Sequence, residues 1–321
     1  MEEIVNLPKV VLHLHLDGSV RVSTANELLN KDVERDMIVD SNCKDLNEYL
    51  KRFDIPISIM QSKSNLERIS YELALDLKND NVIYAEVRFA PIFHTKCGLS
   101  LKEVVESVLN GFKKVDIKIN LILCMMRGMS YLDNEKIIYL AKKYLNKGVC
   151  GIDLAGAEAL YKTKDYEDLF KLSTKLDIPF TIHAGEADGA DSIKSALSFG
   201  TKRLGHGVKC VESEDLIDRI NNENITLEVC PTSNLDTCIV DVYSNHPIKK
   251  LYDKGVRVTI NTDNNTVSNV TLTDEYRKLI KYFNFKKEDF YNFNINAIEC
   301  AFISDEEKES LKNILKKAYN K

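Results

Sequence analysis

Eight short runs of β-type residues recur along the chain, separated by segments of helical period, and this alternation restricts the fold more than any other feature. The runs are 10–16 "VVLHLHL", 82–90 "VIYAEVRFA", 117–125 "IKINLILCM", 149–155 "VCGIDLA", 178–184 "IPFTIHA", 202–206 "KRLGH", 225–230 "ITLEVC" and 256–262 "VRVTINT". Near-continuous apolar strands between amphipathic segments imply a parallel sheet covered by helices. From the second run on, successive strands start about 23 to 35 residues apart, which suits βα units. Eight such units predict an α/β fold of the closed (β/α)8 TIM-barrel type rather than an open doubly wound sheet.

The segments between the runs carry their own boundaries. Ser100 with Glu103, and Ser304 with Glu307, have the spacing of a capping box. Val104, Val105, Val108 and Phe112 fall on one helical face, as do Leu66, Ile69, Leu73 and Leu77. Gly148, Gly200 and Gly255 stand where helices hand over to strands. The first connection, 17–81, is much longer than the rest and reads as extra helices over the mouth of the barrel. Two or three further helices follow the eighth run. No Gly/Ser/Pro-rich linker, low-complexity tract or repeat interrupts residues 1–321, so a single barrel domain is expected.

Composition excludes several functions. The net charge is −5, with both signs interleaved. No basic stripe forms, which argues against nucleic acid or an anionic membrane as partner. "MEEIVNLPK" has no apolar signal core. No apolar run approaches the roughly 18–20 residues that span a bilayer. The eight cysteines make no CxxC and no regular spacing, so a reduced, cytoplasmic protein is expected. Oligomeric state is not legible.

Polar residues then fall where a barrel places chemistry, at the C-terminal strand ends. His13 and His15, at i and i+2, share one face of the first strand. His183 ends the fifth run, His206 the sixth, and Asp263 follows the eighth. Three imidazoles and one carboxylate suit zinc or a similar divalent ion with an open position for water. Such an ion lowers the pKa of bound water to roughly 7. His206 suits the group that accepts or orients the proton of that water. Glu186, three residues beyond His183 in "HAGE", suits the acid that protonates the substrate. Strand four, "GIDLAG", has no lysine to bridge two metals, so one metal ion is expected. The H-x-E…P-C-x-x-C pattern of cytidine deaminases is missing. His94 and His246 read as structural or exposed.

In order along the chain, "LPKVVLHLHLDGS", "YAEVRFAP", "GIDLAGAE", "TIHAGE", "RLGHG", "LEVCPTSN" and "VTINTDN" resemble the adenosine deaminase family of the amidohydrolase superfamily. The resemblance implies that His13, His15, His183 and Asp263 would hold one Zn²⁺ per chain. Glu186 would donate a proton to purine N1, and His206 with Asp263 would orient the attacking oxygen. His15, Asp17, Gly156 and Asn264 would line the substrate: Asp17 accepting from a ribose hydroxyl, the Gly156 N–H reaching N3, Asn264 meeting N7. Many members have a second aspartate at the position of Asn264. An asparagine amide can donate to N7 with no change of protonation. The implied activity is adenosine or 2′-deoxyadenosine deamination. Deamination of free adenine is the alternative; that branch typically reads "HLEG" where this chain reads "HLDG". A non-catalytic nucleoside-binding protein is more remote, since every implied catalytic group is present.

Overall fold

The computed structural model describes residues 2–40 and 43–321. Among them, eight strands pair in parallel: β1 (Lys9–His15), β2 (Val82–Phe89), β3 (Lys118–Met126), β4 (Val149–Ala155), β5 (Ile182–Ala184), β6 (Arg203–His206), β7 (Thr226–Val229) and β8 (Arg257–Ile260). β1 to β4 form one ladder and β5 to β8 another. Single parallel bridges, Ile152 to Phe180 and Leu14 to Asp263, join them into a ring. The second closure is made by the residues singled out above. The His15 N–H donates to the Asp263 carbonyl at 2.7 Å, and the Asp263 N–H to the His13 carbonyl at 3.0 Å. Closing the barrel therefore brings both ends of the ligand set together.

β5 is shorter than the run 178–184 implied. Pro179 has no N–H to give to a ladder, and its carbonyl instead accepts from Ile152 N–H at 3.0 Å. The other strands agree with the sequence runs to within two residues at either end. Both expected capping boxes form, at Ser100–Glu103 and Ser304–Glu307. Gly200 and Gly255, at φ +90° and +80°, follow the helices Ala190–Ser198 and Ile248–Asp253 in the left-handed conformation that glycine adopts without a Cβ penalty.

The connection 17–81 contains the helices Val22–Leu29, Glu34–Met37, Leu46–Leu50, Asp54–Ile59 and Lys63–Asn79. Three helices, Leu272–Phe283, Lys287–Cys300 and Asp305–Tyr319, follow β8. Leu46 and Tyr49 pack on Val267, making a small apolar cluster between the long connection and the loop after β8. No helix among the described residues is long and apolar enough to cross a membrane.

The barrel interior is not apolar throughout. Glu86 and Arg88 of β2, Asp153 of β4, Arg203 of β6 and Glu228 of β7 are all buried. Arg203 bonds Glu86 and Glu228, each at 2.6 Å. Arg88 bonds Asp153 at 2.9 Å and Glu228 at 2.8 Å. Buried charges persist only when paired and hydrogen-bonded, and here two guanidiniums bridge three carboxylates beneath the site.

Candidate active site

A cavity of about 440 Å³ opens at the C-terminal ends of the strands, between them and the helices of the long connection. Its lining includes His15, Asp17, Gly156, His183, Glu186, His206, Asp263 and Asn264. His13 lies beneath, fully buried. Every candidate residue from the sequence is thus in or directly under one cavity.

The donor atoms of His13, His15, His183 and Asp263 lie within 4.8 Å of one another. His15 Nε2 is 3.3 Å from His183 Nε2. Asp263 Oδ1 is 3.3 Å from His13 Nε2 and 3.4 Å from His15 Nε2. Metal–ligand bonds of about 2.0–2.1 Å in a tetrahedron require donor separations of about 3.3–3.4 Å. These residues fit a divalent ion. His13 Nε2, moreover, is buried without a hydrogen-bond partner, whereas its Nδ1 is held by Glu228 Oε2 at 2.9 Å. His183 Nδ1 lies 2.8 Å from Asp153 Oδ2. A carboxylate hydrogen-bonded to the far nitrogen of His13 and one beside that of His183 are the usual support for metal-ligating histidine.

Arg88 ties these supports together. It bonds both carboxylates and also the Leu12 carbonyl, at 2.6 Å. Burial alone would push the Glu228 carboxyl up; Arg88 and Arg203 instead hold it well below its usual range. Removing the guanidinium takes the arginine partner from the buried Asp153 and one of two from Glu228, which keeps Arg203. Arg88→Met is expected to lose about 3–5 kcal/mol of stability and to weaken metal binding about 10- to 100-fold. Denaturant unfolding and metal analysis check both effects.

Two protonation states are set by environment. Burial, then the Asp263 and Glu158 carboxylates, push Glu186 well above the carboxylate range, with Arg127 opposing. Burial, then His13, push His206 well below the usual imidazole value. Both shifts favour the uncharged forms, an acid at Glu186 and an imidazole at His206, with Glu186 Oε2 lying 3.6 Å from His206 Nε2. His206 and Asp263 both adopt left-handed backbone, at φ +60° and +62°. Such strain in non-glycine residues persists where surrounding structure enforces it.

Asp17 is buried beside His15, and burial pushes its carboxyl up to about 7. His94, buried rather than exposed, donates through Nδ1 to the Met60 carbonyl at 3.2 Å, with Nε2 4.0 Å from Asp17 Oδ2. Gly156 lines the cavity at φ +101°, a conformation that L side chains rarely adopt. Asn264 Nδ2 donates to the Tyr49 hydroxyl at 2.9 Å, an engagement absent from the sequence reading. The amide's second N–H remains for a ligand.

Two buried groups went unread in the sequence. Glu158, in the quoted "GIDLAGAE", accepts the backbone N–H groups of Gly185, Glu186, Ala187 and Asp188 and the Ser192 hydroxyl. It fixes the loop that carries Glu186. Arg127 donates to the His183 carbonyl at 2.6 Å and to Thr163 Oγ1 at 2.9 Å.

A parallel barrel with three histidines and an aspartate at its strand ends, beside a buried glutamate, is the architecture of the amidohydrolase-fold deaminases. The chain belongs to the adenosine deaminase family: the model "Adenosine deaminase" matches residues 8–318. It is 40% identical over 325 residues to an adenosine deaminase of Clostridium perfringens, covering 96% of this chain and 98% of that one. It is 41% identical over 332 residues to an adenosine deaminase of Clostridium acetobutylicum, with 98% of each covered. Among solved structures, the N6-methyl-AMP deaminase of Arabidopsis thaliana superposes with a TM-score of 0.88 at 27% identity, over 99% of this chain and 98% of that one.

Proposed function

We propose that residues 1–321 act as one domain that hydrolyses adenosine or 2′-deoxyadenosine to inosine or 2′-deoxyinosine and ammonia. The observation that carries this reading is the juxtaposition of a fitted four-donor set with Glu186 and His206 in one cavity. His13, His15, His183 and Asp263 would hold one Zn²⁺. When bound, the ion supplies Lewis acidity, which makes water acidic enough to react at neutral pH.

The chain's own residues do the rest. Glu186, protonated through burial, donates to purine N1 and makes C6 electrophilic. His206 and the Asp263 carboxylate orient the attacking water toward C6. Ser233 Oγ donates to Asp263 Oδ2 at 2.6 Å, which fixes the carboxylate's rotation. The Gly156 N–H faces N3, where a side chain would keep the backbone from the base. Asp17, whose Oδ1 is buried without a hydrogen-bond partner, accepts from a ribose hydroxyl, and that bond favours the charged form that burial opposes.

Asp17 tests the nucleoside reading. A hydrogen bond to a charged group contributes roughly 1.5–3 kcal/mol, or about 10- to 150-fold in kcat/KM. Asp17→Ala is expected to lower kcat/KM for adenosine by about that factor while leaving any adenine turnover nearly unchanged. Metal content should hold, because Asp17 is not a ligand. Equal losses on both substrates would contradict ribose recognition by this residue.

A further inference from the structure

Ile248 opens the helix Ile248–Asp253, so its backbone N–H has no acceptor within the helix. It donates instead to Nδ1 of the buried His246 at 3.1 Å. A backbone N–H can only donate, so His246 Nδ1 must be bare. The ring's proton is then on Nε2, which lies 3.1 Å from Asn234 Oδ1. Asn234 Nδ2 in turn lies 3.1 Å from His206 Nδ1. The amide cannot be reversed, because Nδ2 facing His246 would leave that ring with two accepting nitrogens and no proton. Nor can His246 be the imidazolium, which would oppose the Ile248 donor. Burial, moreover, pushes His246 down to about 3. The direction of the whole chain is set at its backbone end.

We infer that His246, acting through Asn234, fixes His206 as the tautomer protonated on Nε2. His206 Nδ1 receives the amide donor, so its single proton faces Glu186 and the ligand cluster. His206 Nε2 is buried and has no hydrogen-bond partner of its own. The neutral ring therefore presents a donor, not a lone pair, to whatever oxygen sits above the ligands. Under the deaminase reading, on which this consequence rests, His206 aims the attacking oxygen by donating to it. His246 and Asn234 are positioning residues: the relay accounts for a buried histidine that touches no part of the cavity.

The experiment is a long-range ¹H–¹⁵N spectrum of ¹⁵N-histidine-labelled protein, with the His206 signal assigned by its loss in His206→Asn. The expected result is a protonated Nε2 and a bare Nδ1. Asn234→Asp keeps the shape but offers His206 only an acceptor, so the proton should move to Nδ1. Metal content and adenosine KM should stay near those of the unmodified protein, while kcat falls about 10- to 100-fold, the usual scale for outer partners. His246→Gln, should the first variant fold poorly, is expected to give a mixed tautomer and a smaller loss of kcat. A proton on Nδ1 in the unmodified protein overturns the inference, as does unchanged kcat in a folded Asn234→Asp. Failure of the unmodified protein to turn over adenosine would count against the deaminase reading alone, since the ring spectrum needs no turnover.

Discussion

Glu186→Gln is expected to retain its metal and bind adenosine while kcat falls about 10²- to 10⁴-fold, the scale for a positioned general acid. The glutamine keeps the size of the side chain but has no transferable proton. Glu186 is buried, and burial with the carboxylates of Asp263 and Glu158 keeps it protonated. The sign of the pH dependence follows: kcat should fall as pH rises through that raised pKa, because the acid form is the working one. In the variant this alkaline limb should disappear. Near-normal turnover, or an unchanged alkaline limb, would remove Glu186 from proton transfer.

Metal removal has an effect of comparable size. Chelation is expected to abolish turnover, and Zn²⁺ to restore it at about one ion per chain. Three histidines and one aspartate bring their donor atoms within 4.8 Å of one another, with His15–His183, His13–Asp263 and His15–Asp263 at 3.3–3.4 Å. The "GIDLAG" strand places Asp153, not a lysine, against His183. Two ions per chain at full activity, or full activity in the metal-free protein, would contradict the site.

Much of this arrangement is legible in the chain because strand and helix periods leave visible marks. The eight runs locate the strands, and histidines at their tips locate the cavity, since a barrel gathers strand ends whatever their separation. The boundaries fail where one residue overrides a pattern, as Pro179 does in β5. The charged interior was visible only as Glu86 and Arg88 two apart in "YAEVRFA", with Asp153, Arg203 and Glu228 in other strands. Same-face spacing within one strand is readable, but which carboxylate an arginine meets across a barrel is not. Glu158 illustrates the same limit, because four of its donors are backbone groups of residues 185–188. Backbone donors leave no trace in residue identity. His246 read as structural or exposed for that reason: its partners, Ile248 N–H and the Asn234 amide, acquire meaning only once the amide meets His206.

Substrate choice rests on the charge and hydrogen bonding of the cavity lining. Among the residues lining the cavity, Lys96 and Arg127 carry positive charge. Arg127 Nη1 and Nη2 donate to the Tyr161 and His183 carbonyls and to Thr163. Asp17 and its neighbourhood suit a hydroxyl. The most direct test follows the ultraviolet change of deamination in the metal-loaded protein with adenosine, adenine and AMP in parallel. The account predicts the highest kcat/KM for adenosine. Preference for adenine or AMP, or no turnover of adenosine at all, would contradict it.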